Sequence, residues 1–235
     1  MRLELKNISK NYGNHEIFYD LSFKFESNKI YGVVGPNGVG KSTLFKCIVG
    51  LLDVNAGKIS INYNEVSSNK RDDVVENISY LLSTGVIKHL SGWENAILFA
   101  KLFKIENQEL ENLFKEFDLY ESRNKKVKAY SLGMKQRLAL IISLINIKRN
   151  IIILDEPYLG LDPIGIKCLN EKLIKLKNEG YLIIVSNHQL HESEKIFDEV
   201  IFLTKRGIIV KNCNENTEES LSETFEKIYV KGEYL

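Results

Sequence analysis

Residues Gly35–Thr43 read GPNGVGKST, three glycines and a proline in nine positions. They stand between an apolar run, KIYGVV (29–34), and an amphipathic one, LFKCIVGLL (44–52). A segment with so little to pack, set between two that pack well, is expected to use its backbone for something other than the core. Gly35, Gly38 and Gly40 permit turns and close approaches that a side chain forbids. The N–H groups along Gly35, Asn37, Gly38, Val39 and Gly40, with Pro36 shaping the turn, can therefore point inward at a phosphate. Lys41 adds a positive charge for the β and γ phosphates, and the Ser42 hydroxyl can ligate Mg²⁺. The helix that opens over Ser42 and Thr43 aims its positive dipole end at the same anion. The alternative is an ordinary Gly-rich turn ahead of a helix, but the stretch fits GxxxxGK[ST] without a mismatch and has a strand before it and a helix after it.

The chain has 235 residues, 44% of them hydrophobic, enough to bury a sizeable core in one large domain or in one domain carrying a smaller lobe. A formal net charge of +1, from 32 basic and 31 acidic residues, points to neither a nucleic acid nor an acidic surface as partner. Apolar stretches such as LALIISLINI (138–147) fall well short of the roughly 20 residues that cross a bilayer. The N-terminus has no continuous apolar segment of the secretory kind, which points to the cytoplasm. Cys47, Cys168 and Cys213 are widely spaced and odd in number, as expected of reduced thiols.

Two periodicities divide the chain. LSFKFE (21–26) and KISINY (58–63) alternate with period two and predict an antiparallel layer. KIYGVV, NIIIL (150–154) and YLIIV (181–185) are short and continuously aliphatic, as central parallel strands covered on both faces should be. Between about Ser91 and Ile147 the apolar residues fall three and four apart, which predicts helices and no strands. Ligands of open α/β sheets bind outside the carboxyl ends of the strands, so GPNGVGKST, DEP (155–157) and SNH (186–188) are expected to converge on one crevice. There Asp155 can hold the Mg²⁺ shell through water, Glu156 can orient or deprotonate an attacking water, and His188 can bond the γ phosphate or that water.

The segment SLGMKQR (131–137) opens a helix upstream of the DEP strand. It resembles the signature motif of the ATP-binding cassette (ABC) ATPases, in the form found in bacitracin-type and lantibiotic-type exporters. Beside it, GPNGVGKST resembles Walker A, IIILDEP Walker B, GLDP (160–163) the D-loop and SNH the H-loop, in the family's order. The resemblance runs from about residue 3 to at least 205, and LSETFEKIY (221–229) is similar to the subfamily's terminal helix. It implies an α/β fold: a P-loop NTPase core of mixed, mostly parallel sheet flanked by helices, with an N-terminal antiparallel β subdomain and an inserted helical lobe. The expected boundaries are one ABC ATPase domain over 1–235, with sheet core about 1–85 and 149–210, helical lobe about 86–148 and a helical tail about 216–235.

The resemblance also implies roles. Tyr12 of NYG would stack on adenine. Ser131, with the N–H groups of Gly133 and Met134 at a helix N-terminus, would form a second anion site serving another subunit's ATP. Two chains, identical in a homodimer, would then close head to tail on ATP and Mg²⁺ with Asp162 at the seam, and hydrolysis would open them. The stroke would pass to separate membrane permease subunits, placing the protein on the inner face of the membrane and exporting a peptide antibiotic or similar amphiphile. Soluble ABC ATPases that act on ribosomes or DNA are the alternative class. One departure is Ser83, which stands where family members usually carry Gln as a contact to Mg²⁺ and water. Its shorter side chain would need a bridging water or a loop shift, and altered coupling to the permease is expected.

Overall fold

The computed structural model describes residues 1–69, 77–81, 86–145, 150–187, 194–213 and 219–232. In chain order the main elements begin with strands β1 (Arg2–Tyr12), β2 (His15–Glu26) and β3 (Lys29–Val34) and helix α1 (Lys41–Ile48). Strands β4 (Ala56–Ile61), β5 (Asn64–Glu65) and β6 (Ile78–Leu81) come next, before helices α2 (Gly92–Phe103), α3 (Asn107–Glu116) and α4 (Leu132–Leu144). Strand β7 (Ile151–Leu154) precedes helix α5 (Pro163–Asn178), followed by strands β8 (Leu182–Asn187), β9 (Glu199–Thr204) and β10 (Gly207–Asn212) and helix α6 (Leu221–Tyr229).

The alternating segments form an antiparallel sheet in the order β2-β1-β4-β5. LSFKFE and KISINY do not pair with each other; each lies along β1, one on either side. The aliphatic runs form the second sheet, ordered β10-β9-β3-β8-β7-β6, parallel throughout except for the β10 edge.

Successive strand residues point to opposite faces, so a run buried on both sides must feed two cores. Ile30, Val34, Ile152, Leu154, Ile183 and Val185 join the first core, with the apolar faces of α2 to α5 and with Ile228 of α6. Tyr31, Val33, Ile151, Ile153, Leu182 and Ile184 join the second, with α1 and the inner face of the antiparallel sheet. This two-sided burial is why those runs carry no polar alternation.

Between β6 and β7 the described residues form helices and no strand beyond the isolated bridge Ser91–Lys126. No described helix is long and apolar enough to cross a membrane. Helices α2, α4, α5 and α6 each begin with a side-chain cap, from Ser91, Ser131, Asp162 and Ser220. Helix α1 instead begins at Gly40, which has no side chain to offer.

Phe114 of α3 is fully buried and packs on Trp93 with ring centroids 5.5 Å apart. Phe114→Ala is expected to lower unfolding free energy by about 3–5 kcal/mol in a urea titration.

Candidate functional site

The loop after β3 starts at the carboxyl end of a parallel strand. The Val39 N–H donates to the Pro36 carbonyl at 3.3 Å, closing a turn. Gly40 takes φ 112°, and a Cβ there would lie 2.8 Å from Ile17 Cγ2, so conformation and space both demand glycine. With no side-chain cap, the first-turn N–H groups of α1 are left for a ligand. They open into a cleft of 210 Å³ lined by Asn37, Gly38, Gly40, Lys41, Ser42 and Thr43, together with Ile17 and Glu156.

Lys41 is only 5% exposed. Its ammonium donates to the Gly35 carbonyl at 2.7 Å and the Pro36 carbonyl at 3.2 Å, and lies 3.9 Å from Glu156 Oε1. Burial lowers its pKa, opposed by the negative charges of Glu156 and then Asp155. The loop thus holds a partly desolvated cation beside two carboxylates, where charge acts more strongly than in water.

Parallel pairing sets this geometry. Leu154 of β7 lies opposite Val185 of β8, so the next residue, Asp155, comes level with Ser186. The fully buried Ser186 hydroxyl donates to Asp155 Oδ1 at 2.6 Å and accepts the Glu156 N–H at 2.7 Å. It thereby holds Glu156 at φ 48°, a left-handed conformation costly for a residue with a Cβ. Tyr80 of β6 stands on the far side of β7, its phenol pushed up to about 12 by burial and by the Asp155 charge.

The signature segment packs on the D-loop of its own chain. Ser131 Oγ caps α4 by accepting the Met134 N–H at 3.1 Å. Gly133 faces the Gly160 carbonyl and the Asp162 carboxylate, which a Cβ would meet at 3.5 and 3.6 Å. Asp162 caps α5 through the Gly165 N–H, and its other oxygen accepts from Arg137 Nη2 at 3.3 Å. Arg137 Nη1 donates to the carbonyls of Phe117 and Asp118, so one buried guanidinium ties α3, α4 and the D-loop together. Among the described residues, the lining of the Walker A cleft does not include Ser131, Gly133 or Met134.

The structure therefore brings together Gly35–Thr43, Asp155 and Glu156, and groups Ser131, Gly133, Met134 and Asp162 separately. Tyr12 ends β1 half-exposed, with the Lys10 ammonium 5.3 Å from its ring centre, and is not among the cleft's lining residues. His188 and Ser83 lie outside the described residues. Ser186 and Arg137 went unassigned in the sequence reading. Arg137 could have been found from its charge on an apolar helix face, whereas Ser186 carried no signal because its role depends on which strand lies beside β7.

Residues 18–159 match the family of ABC transporters. Over 220 residues the chain is 36% identical to a lantibiotic transport ATP-binding protein of Streptococcus pyogenes, covering 92% of this chain and 94% of that one. It is 33% identical over 214 residues to a bacitracin transport ATP-binding protein of Enterococcus faecalis, covering 90% and 69%. Among solved structures, the ATP-binding subunit of an ABC transporter superposes with a TM-score of 0.79 at 28% identity, over 90% of each chain.

Ser186→Ala leaves the Glu156 N–H without its hydroxyl acceptor, and chemical denaturation should show a loss of about 1–3 kcal/mol. Lys41→Met removes a buried charge whose lowered pKa marks a net cost to the folded state. Relative to wild type the nucleotide-free variant is spared that cost at pH 7, set against the lost bonds to the Gly35 and Pro36 carbonyls, and the balance is read as a Tm difference. The Tm of the variant relative to wild type should fall as pH climbs toward the ordinary lysine value of 10.5, because the wild-type penalty fades once Lys41 deprotonates.

Proposed function

The chain belongs to the ABC transporter family, and on that premise we propose that two copies close around ATP and use its hydrolysis to drive transport through separate membrane subunits. As an ABC ATPase it binds ATP and hydrolyses it in step with transport. In our reading residues 1–235 act as one ATPase domain. Gly35–Gly40 and the N-terminus of α1 grip the phosphates, and Lys41 turns its ammonium from the loop carbonyls toward the β and γ oxygens. Glu156 orients and deprotonates the attacking water, held in place through Ser186.

A Ser42 hydroxyl and an Asp155 carboxylate beside phosphate oxygens form the hard oxygen donor set that Mg²⁺ prefers. When bound there, Mg²⁺ would offset the negative charge of the β and γ phosphates. Tyr12 supplies a face for adenine, and His188 a hydrogen bond to the γ phosphate.

Ser131, Gly133 and Met134 face the ATP of the second copy, with Asp162 between the two sites. That none of Ser131, Gly133 and Met134 lines the Walker A cleft supports this arrangement. Relatives named for lantibiotic and bacitracin transport support a peptide antibiotic or similar amphiphile as cargo, moved outward, with the protein held at the inner membrane face by its permease.

The observation that carries the catalytic reading is the 3.9 Å approach of Lys41 Nζ to Glu156 Oε1 across the ends of two strands. Glu156→Gln should bind ATP, lose about 10²- to 10⁴-fold in turnover and accumulate as a dimer on size exclusion with ATP. A variant that stays monomeric with ATP and retains turnover overturns the proposal.

A further inference from the structure

Helix α6 reaches back to the start of the phosphate loop. The Tyr229 hydroxyl shares its proton between the Leu203 carbonyl at 2.7 Å and the Val34 carbonyl at 3.0 Å. These carbonyls sit near the ends of the neighbouring strands β9 and β3, where Val34 pairs with Phe202. Val34 is the last residue before the loop, and its C=O belongs to the same rigid peptide plane as the Gly35 N–H. Fixing the direction of that carbonyl fixes the direction of the loop's first amide. Lys41 does the same for the next plane by donating to the Gly35 carbonyl at 2.7 Å.

Gly35 is shaped to this contact. A Cβ there would stand 3.0 Å from the Tyr229 oxygen and 2.7 Å from Val39 Cγ1. Burial raises the pKa of the phenol, so it remains a donor well into the alkaline range. The helix has other anchors: Ile228 is fully buried, Ser220 and Glu223 form a capping box, and the Lys211 ammonium donates to Thr224 Oγ1 at 3.0 Å. The hydroxyl is therefore not needed merely to hold the helix in place.

We propose that Tyr229 is a positioning residue for the phosphate loop, so that nucleotide affinity depends on a hydrogen bond from the C-terminal helix. This rests on the reading that Gly35–Thr43 holds the phosphates of ATP. The test titrates the purified full chain with a fluorescent ATP analogue and measures kcat, KM and Tm alongside. Tyr229→Phe keeps the ring, whose centroid is 4.7 Å from that of Phe225, and removes only the hydroxyl. Its Kd and KM for ATP should rise about fivefold, the loss of one hydrogen bond, with kcat within about twofold of wild type. Thr224→Val removes the Lys211 contact nearer the start of the same helix, leaves the Tyr229 ring and hydroxyl in place, and should lower Tm with Kd unchanged. An unchanged Kd in Tyr229→Phe, or equal weakening in both variants, overturns the proposal. If the wild type itself fails to bind the analogue, the ATP reading falls and this inference falls with it.

Discussion

Three parallel strands ending side by side, β3, β8 and β7, are the constraint on which the site depends. No local preference of the loop or of the DEP turn could bring a lysine at position 41 within 3.9 Å of a glutamate at position 156. Hydrogen-bonded register does it, because each strand end fixes where the following chain begins. The middle strand contributes more than spacing. Ser186, near its end, bonds the side chain of one acidic residue and the backbone of the next. The two carboxylates thus have different partners, the Ser186 hydroxyl for Asp155 and the Lys41 ammonium for Glu156.

The site carries local costs that the surrounding cores offset. Lys41 is buried against its preference for water, Glu156 is held in a left-handed conformation, and Gly40 gives up side-chain packing. All three residues line the same cleft. Burial on both faces of the parallel sheet supplies the offset, since every residue from Ile151 to Leu154 and from Leu182 to Val185 is fully buried. Rigid strands under an unpacked loop are a reasonable way to combine grip with order.

Away from the loop, a buried arginine and a tyrosine link parts that are distant in sequence. Arg137, on the signature helix, joins the end of α3 to Asp162 of the D-loop. Tyr229 ties the last described helix to the Val34 carbonyl, at the start of the glycine-rich loop. Both contacts use hydrogen bonds to carbonyl groups, which orient peptide planes as well as hold them.

The sequence by itself determined the element types and marked the glycine loop and the acidic pair that the fold brings together. Period-two alternation in LSFKFE, unbroken aliphatic runs such as IIIL and three-four spacing in SLGMKQRLALIISLI each report how many faces of an element are buried. The glycine loop reports its own backbone demands. What only the tertiary structure decided is adjacency: that β8, which follows β7 in the chain, lies between β7 and β3, and that Ser186, Arg137 and Tyr229 meet partners 31, 25 and 195 residues away. The reason is physical. Hydrophobic periodicity states which side of an element must be covered and is silent on what covers it, so a contact made by a single hydroxyl or guanidinium becomes visible only once the layers are assembled.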